Sequence, residues 1–82
     1  MSDHDNWEDI LYQQVYDATC AFIQQKRQLD SGFTKEDLKE MIRISYHRRD
    51  SDWVGRGPLH FIIDSATIAA CESILAEWES DN

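Results

Sequence analysis

Residues 33–38 read FTKEDL, and this hexapeptide carries the most specific local signal in the chain. Thr34 is a favoured helix N-cap, and the acidic residues that follow it suit the positive end of a helix dipole. Asp37 is a shorter stand-in for the Glu of a capping box, and Phe33 and Leu38 occupy the two positions of a hydrophobic staple. The sequence therefore predicts that a helix begins directly after Thr34.

A preceding helix is predicted over residues 7–29, ended by the Asp30-Ser31-Gly32 segment. We expect Gly32 to adopt the left-handed conformation that often terminates a helix. Acids in the first turn and bases in the last turn of residues 7–29 also fit a helix dipole. The apolar residues at helical spacing predict an inner face made of Trp7, Leu11, Val15, Ala18 and Phe22, widened by Tyr12, Thr19 and Ile23.

Two further helices are predicted after residue 34, over residues 35–49 and 58–79. Pro58 suits the first turn of the later helix, because a proline there loses no intrahelical hydrogen bond. No segment alternates with the period of a strand. We therefore predict an all-α fold, a three-helix bundle in a single domain of 82 residues with frayed ends at 1–5 and 80–82. The inner face of the second helix is predicted at Leu38, Met41, Ile42, Ser45 and Tyr46, with Ile44 on the far side.

The third helix is apolar on more than one side. Its main stripe comprises Leu59, Ile62, Ile63, Ala66, Ala70, Ile74 and Trp78. A second stripe, Phe61, Ile68 and Leu75, lies about 160–200° from Leu59, beyond the usual buried arc. Burying these three side chains contributes about 5–8 kcal/mol before the entropy of association is counted. The second stripe therefore predicts self-association into a helical homodimer.

Charge is distributed unevenly along a chain of net charge −8. All eight Lys and Arg residues lie within residues 26–56, so both flanking segments are purely acidic. A basic middle segment can meet the acidic helices of its own fold or of a second copy. The composition favours a small acidic interaction or regulatory protein, and one version of it presents carboxylates to a basic partner.

The basic and aromatic residues around the predicted loop are the candidate site for a protein partner: Arg48, Arg49, Trp53 and Arg56. Trp and Arg dominate the energetics of many interfaces. We therefore expect Trp53→Ala to weaken binding of the partner more than it destabilises the fold. The alternative function is nucleic-acid binding through the same residues. Asp50 and Asp52 within this stretch, and the acidic flanks, oppose a polyanion. Under a third interpretation, these basic side chains only pair with neighbouring acidic side chains and cap the end of the helix.

No motif predicts an enzyme, a cofactor or a metal site. His60 and Asp64 share a helical face, but two ligands do not make a metal site. Cys20 and Cys71 are far apart in sequence and are expected to be free, small apolar fillers. The acidic N-terminal stretch is unlike a secretory leader, and the chain has no run of about 18 apolar residues, so no membrane span is expected. The sequence thus predicts a cytoplasmic protein without a membrane segment.

Overall fold

The computed structural model describes residues 6–51 and 57–80. They form three helices: α1 (Asn6–Leu29), α2 (Lys35–Ser51) and α3 (Gly57–Ser80). The predicted all-α class and three-helix bundle are confirmed, and each observed helix boundary lies within two residues of its prediction. The predicted loop around Trp53 and the predicted frayed segment 1–5 lie outside the described residues.

α3 is the central helix of the bundle. It contacts both α1 and α2, whereas no Cα atoms of α1 and α2 approach within 8 Å in the part of the chain that the structure describes. The guanidinium of Arg27, near the end of α1, lies 4.1 Å from the ring centre of Trp78, near the end of α3, so these two helices run in the same direction. Lys39, early in α2, reaches Glu79 at the end of α3, so α2 runs antiparallel to α3.

The core lies where α1 and α2 meet the second half of α3. Its buried members are Ile23, Phe33, Leu38, Cys71 and Ile74, and Cys20, Met41, Ile42, Leu75 and Trp78 pack around them. The inner face predicted for α2 is confirmed at Leu38 and Ser45, which are both buried, and is wrong at Tyr46, which is 37% exposed. Ile44 is exposed, as its place on the far side of α2 predicts.

α3 is buried over about 200° of its circumference, as the positions of its buried residues show at 100° per residue. Those residues are Asp64, Ala66, Ile68, Ala70, Cys71 and Ile74. The expectation that the second stripe of α3 lies outside the buried arc is therefore wrong at Ile68, which is 4% exposed. The reason is that two helices cover α3 from different sides, so its buried arc is wider than that of a helix with one neighbour.

The α1–α2 connection follows the predicted capping box. The Asp37 amide donates to Thr34 Oγ1 at 3.3 Å, and the Thr34 amide donates to Asp37 Oδ2 at 3.0 Å. Gly32 differs from its prediction, because its φ lies outside the left-handed region. The turn is instead held by Asp30, whose Oδ1 accepts from the Gly32 amide at 2.9 Å and whose carbonyl accepts from the Phe33 amide at 3.0 Å.

Thr34→Ala is expected to lower the free energy of unfolding by about 1 kcal/mol, because it leaves an amide of the first turn of α2 without its acceptor. Urea denaturation followed by circular dichroism measures this loss. Thr34→Ser is the matched control, since it keeps the hydroxyl and should stay close to the parent chain. Equal stability of the parent and Thr34→Ala would show that the capping box contributes nothing.

Candidate interaction surface

Part of the apolar face predicted for α1 points away from α3. Phe22 is 55% exposed and Leu29 is 76% exposed, and Trp7 and Ile10 are exposed as well. The adjacent Ile23 is completely buried. The inner face predicted for α1 is therefore wrong at Trp7, Tyr12, Ala18 and Phe22, which are exposed, and correct at Ile23.

Contacts near the end of α1 explain which arc faces α3. Arg27 stacks on the Trp78 ring, and Lys26 Nζ lies 5.7 Å from the centre of the Phe33 ring. Cationic side chains over aromatic faces are stabilising. Together with Ile23 in the core, these contacts turn the opposite arc of α1, which contains Phe22 and Leu29, toward solvent.

The outward arc of α1 is uncharged along its whole length. Its exposed members, which we call the outer face, are Trp7, Ile10, Gln14, Ala18, Ala21, Phe22, Gln25, Gln28 and Leu29. At 100° per residue they fall within about 120° of the helix circumference, and at 1.5 Å per residue they extend over about 33 Å. Asp17 lies at one edge of this arc, and Glu8 and Lys26 lie at the other. A shallow depression at its C-terminal end is lined by Phe22, Gln25, Lys26, Leu29 and Asp30.

The self-association stripe predicted on α3 does not form a continuous exposed surface. Phe61 is 57% exposed, Ile68 is buried, and Leu75 is partly buried against the core. The guanidinium of Arg49 lies 5.4 Å from the centre of the Phe61 ring. Only Phe61 of the three therefore presents a large exposed area.

Two of the four residues predicted to bind a partner make contacts within the chain. Arg48 Nε donates to Oδ1 of the buried Asp64 at 3.1 Å. Arg49 donates to Ser65 Oγ at 3.3 Å, and its guanidinium also lies 5.1 Å from the centre of the Tyr46 ring. These contacts fit the interpretation that the basic side chains of α2 pair with polar groups of the same chain. Trp53 and Arg56 lie outside the described residues, so their proposed role stays a prediction.

Both cysteines are free thiols, Cys71 buried and Cys20 partly buried. Burial, with smaller contributions from Cys20 and Glu72, raises the pKa of Cys71 to about 11. Burial also raises the pKa of Cys20. High thiol pKa values favour the unreactive protonated form at neutral pH, as expected for cysteines that fill space. Over residues 6–51 and 57–80, no three His, Cys, Asp or Glu side chains are grouped to hold a metal ion.

The raised pKa of Cys71 predicts loss of stability at alkaline pH. The folded chain holds this proton more tightly than the unfolded chain, whose thiol titrates near 9. Stability is therefore fully present below about pH 9 and falls up to about pH 11, by at most about 1.4 kcal/mol per pH unit. Urea denaturation at a series of pH values measures the slope. Cys71→Ala should flatten it, and an unchanged slope in this variant would assign the loss to other groups.

α3 is long and apolar enough, from Leu59 to Ser80, to cross a membrane by length and composition. This segment is not an uninterrupted apolar run, since it contains Asp64, Glu72 and Glu77, and the expectation that no segment spans a membrane stays a prediction. Core helices of bundles meet the same criterion, and α3 packs against two helices and holds the buried Asp64 against Arg48. The cytoplasmic location stays a prediction.

Comparison with protein-family models, with curated proteins and with solved structures found no match. Over residues 6–51 and 57–80 the chain is an all-α protein of three helices, and α1 carries an uncharged, largely apolar surface on the side away from the core.

Proposed function

We propose that this chain is a small helical protein–protein interaction module and that it docks through the outer face of α1. The observation that carries the proposal is the exposure of four large apolar side chains on this arc, namely Trp7, Ile10, Phe22 and Leu29. They form two exposed apolar pairs at the two ends of an uncharged arc, and exposed apolar patches bounded by polar residues are typical of interaction sites. We therefore keep the sequence-based prediction of an interaction module, but we assign its docking surface to α1 instead of α3.

The free energy available from this surface is large for a domain of 82 residues. Burying one large apolar side chain from full exposure contributes about 1.5–3 kcal/mol, so covering these four partly exposed side chains supplies about 5 kcal/mol before the costs of association. Phe61 on α3 supplies only a fraction of that amount. The comparison favours α1 over α3 as the docking helix.

The rival function, nucleic-acid binding through the bases of α2, gains no support from the described residues. Arg48 and Arg49 are engaged with Asp64 and Ser65. Acidic residues dominate the chain outside residues 26–56, which disfavours approach of a polyanion. An interaction with protein therefore remains the better proposal.

Site-specific photocrosslinking in cells tests the function. A photoreactive amino acid at position 22 reports on the outer face of α1, and the same group at position 36 is the control, because Glu36 on α2 is also highly exposed. We expect strong crosslinked products from position 22 and weak ones from position 36. Absence of any product specific to position 22 would contradict a docking role for this face.

A further inference from the structure

Building on the proposed function, we propose that the occupant of the outer face is a second copy of this chain. The two α1 helices pack antiparallel around a two-fold axis near Ala18. Three features of α1 support this arrangement: the spacing of its outward residues, the depression at one end, and the distribution of charge along its length.

The spacing of outward residues matches a helix-pairing seam. From Trp7, steps of four and three residues pass through the half-buried Leu11 and the exposed Gln14, Ala18, Ala21 and Gln25 without meeting a charge. A repeat of 3.5 residues keeps one seam of a helix against a partner helix over several turns. The two alanines stand near the middle of the seam, where small side chains allow two helices to approach closely.

The ends of the seam are complementary to each other. An antiparallel pairing centred near Ala18 brings Trp7 of each copy next to the C-terminal end of the other copy's α1. The depression lined by Phe22, Lys26 and Leu29 lies there, and its volume is about 220 Å³. A protruding indole at one end of α1 and a depression at the other end form an isologous match, as two-fold symmetry requires.

Charge selects the antiparallel orientation. Among the charges that border the outer face, the first half of α1 carries the acids Glu8 and Asp17, and the second half carries the base Lys26. Arg27 faces α3, where it stacks on Trp78. Antiparallel pairing opposes the acidic half of one copy to the basic half of the other, whereas parallel pairing opposes like charges. Glu8 and Lys26 lie at the same edge of the outer face, and residues of the same edge meet in an antiparallel pair.

The area of the outer face is sufficient for a specific dimer. A fully buried aromatic side chain removes about 150–250 Å² from solvent, so Trp7 and Phe22 at their present exposure supply about 200 Å² per copy. Ile10, Leu29 and the glutamines raise the total for two copies to about 1,000 Å², at the lower end for specific interfaces. This size corresponds to a reversible dimer rather than a permanent one.

Sedimentation equilibrium of the purified chain from about 10 to 300 μM, with three charge variants, tests the inference. The parent chain is expected to dimerise in this range. Glu8→Lys alone and Lys26→Glu alone should each weaken the dimer about tenfold, because two symmetry-related pairs become repulsive. The double variant Glu8→Lys/Lys26→Glu should restore the parent affinity within about threefold, since the pairs are then reversed but still opposite in sign.

Asp17 provides an independent check. It lies at the other edge of the outer face and close to the two-fold axis, so in the antiparallel dimer Asp17 of one copy faces Asp17 of the other. Asp17→Asn is expected to tighten the dimer about threefold by removing this repulsion. Circular dichroism of each variant controls for helix loss, and Phe22→Glu should abolish the dimer.

Several results would overturn the inference. A monomeric parent chain throughout the range contradicts it, and so does a double variant as weak as the single ones. If the chain is monomeric but position 22 crosslinks to a different protein in cells, self-docking is wrong and the proposed function stands. If both experiments are negative, the proposed function is wrong as well.

Discussion

Replacing Ile74 with alanine is expected to lower the free energy of unfolding by about 2–5 kcal/mol, from lost burial and the cavity left behind. Ile74 is buried in the cluster that contains Ile23 of α1 and Leu38 of α2. Because only α3 contacts both other helices in the described part of the chain, this side chain lies where the whole bundle is joined. A small domain has few kcal/mol to lose, so much of its stability is at risk.

Urea denaturation followed by circular dichroism measures this effect. Leu59→Ala is the matched control, since Leu59 is a large apolar residue of the same helix that is largely exposed. We expect a loss below about 1 kcal/mol for this control. Equal losses for Ile74→Ala and Leu59→Ala would contradict the position of the core.

The second large effect concerns the ion pair between α2 and α3. Arg48→Met is expected to lower the free energy of unfolding by about 1–3 kcal/mol, because the buried carboxylate of Asp64 loses a charged donor 3.1 Å away. The expected loss is below that of a fully buried pair, since the Arg48 side chain is nearly half exposed. Thermal or urea unfolding detects a change of this size.

Adding Asp64→Asn to Arg48→Met removes the unpaired charge, so the double variant should be more stable than Arg48→Met alone. Arg43→Met is the control, because Arg43 pairs with the exposed Glu40 and such pairs contribute little. If the effects of Arg48→Met and Asp64→Asn simply add, the two groups are not coupled and the contact does not stabilise the fold.

Features decided by neighbouring residues could be predicted from the sequence. The capping box at Thr34 and Asp37 depends only on residues three apart, so the start of α2 follows from local chemistry. The faces of α2 are predicted correctly at Leu38, Ser45 and Ile44, because most of its apolar residues occupy one arc, but not at Tyr46, which is exposed. The three helices and their bounds rest on the same kind of local signal.

The orientation of α1 could not be predicted, because α1 has two apolar arcs. The predicted inner face spans both arcs, whereas the structure buries the arc that contains Ile23 and exposes Trp7, Ala18 and Phe22. The choice depends on α3, since Trp78 of α3 receives the guanidinium of Arg27. A contact between residues 51 positions apart cannot be predicted from the spacing of apolar residues in either helix.

The candidate surface on α3 was misjudged for a related reason. A helix that is apolar on several sides needs several neighbours, but its sequence does not tell whether they belong to the same chain. Ile68 is covered within one chain, and Phe61 is not. A distinct signal for the outer face of α1 is its lack of charge, because no Asp, Glu, Lys or Arg lies on its arc.

The unfolding free energies of Phe22→Glu and Ile23→Glu, measured side by side at about 1 μM protein, test most directly whether α1 presents its apolar arc to solvent. Phe22→Glu should stay within about 0.5 kcal/mol of the parent chain, because a surface position tolerates a charge. Ile23→Glu should unfold the chain or destabilise it by several kcal/mol, because it buries an unpaired carboxylate. The reverse order would place the outer face inside the bundle and contradict the proposed docking surface.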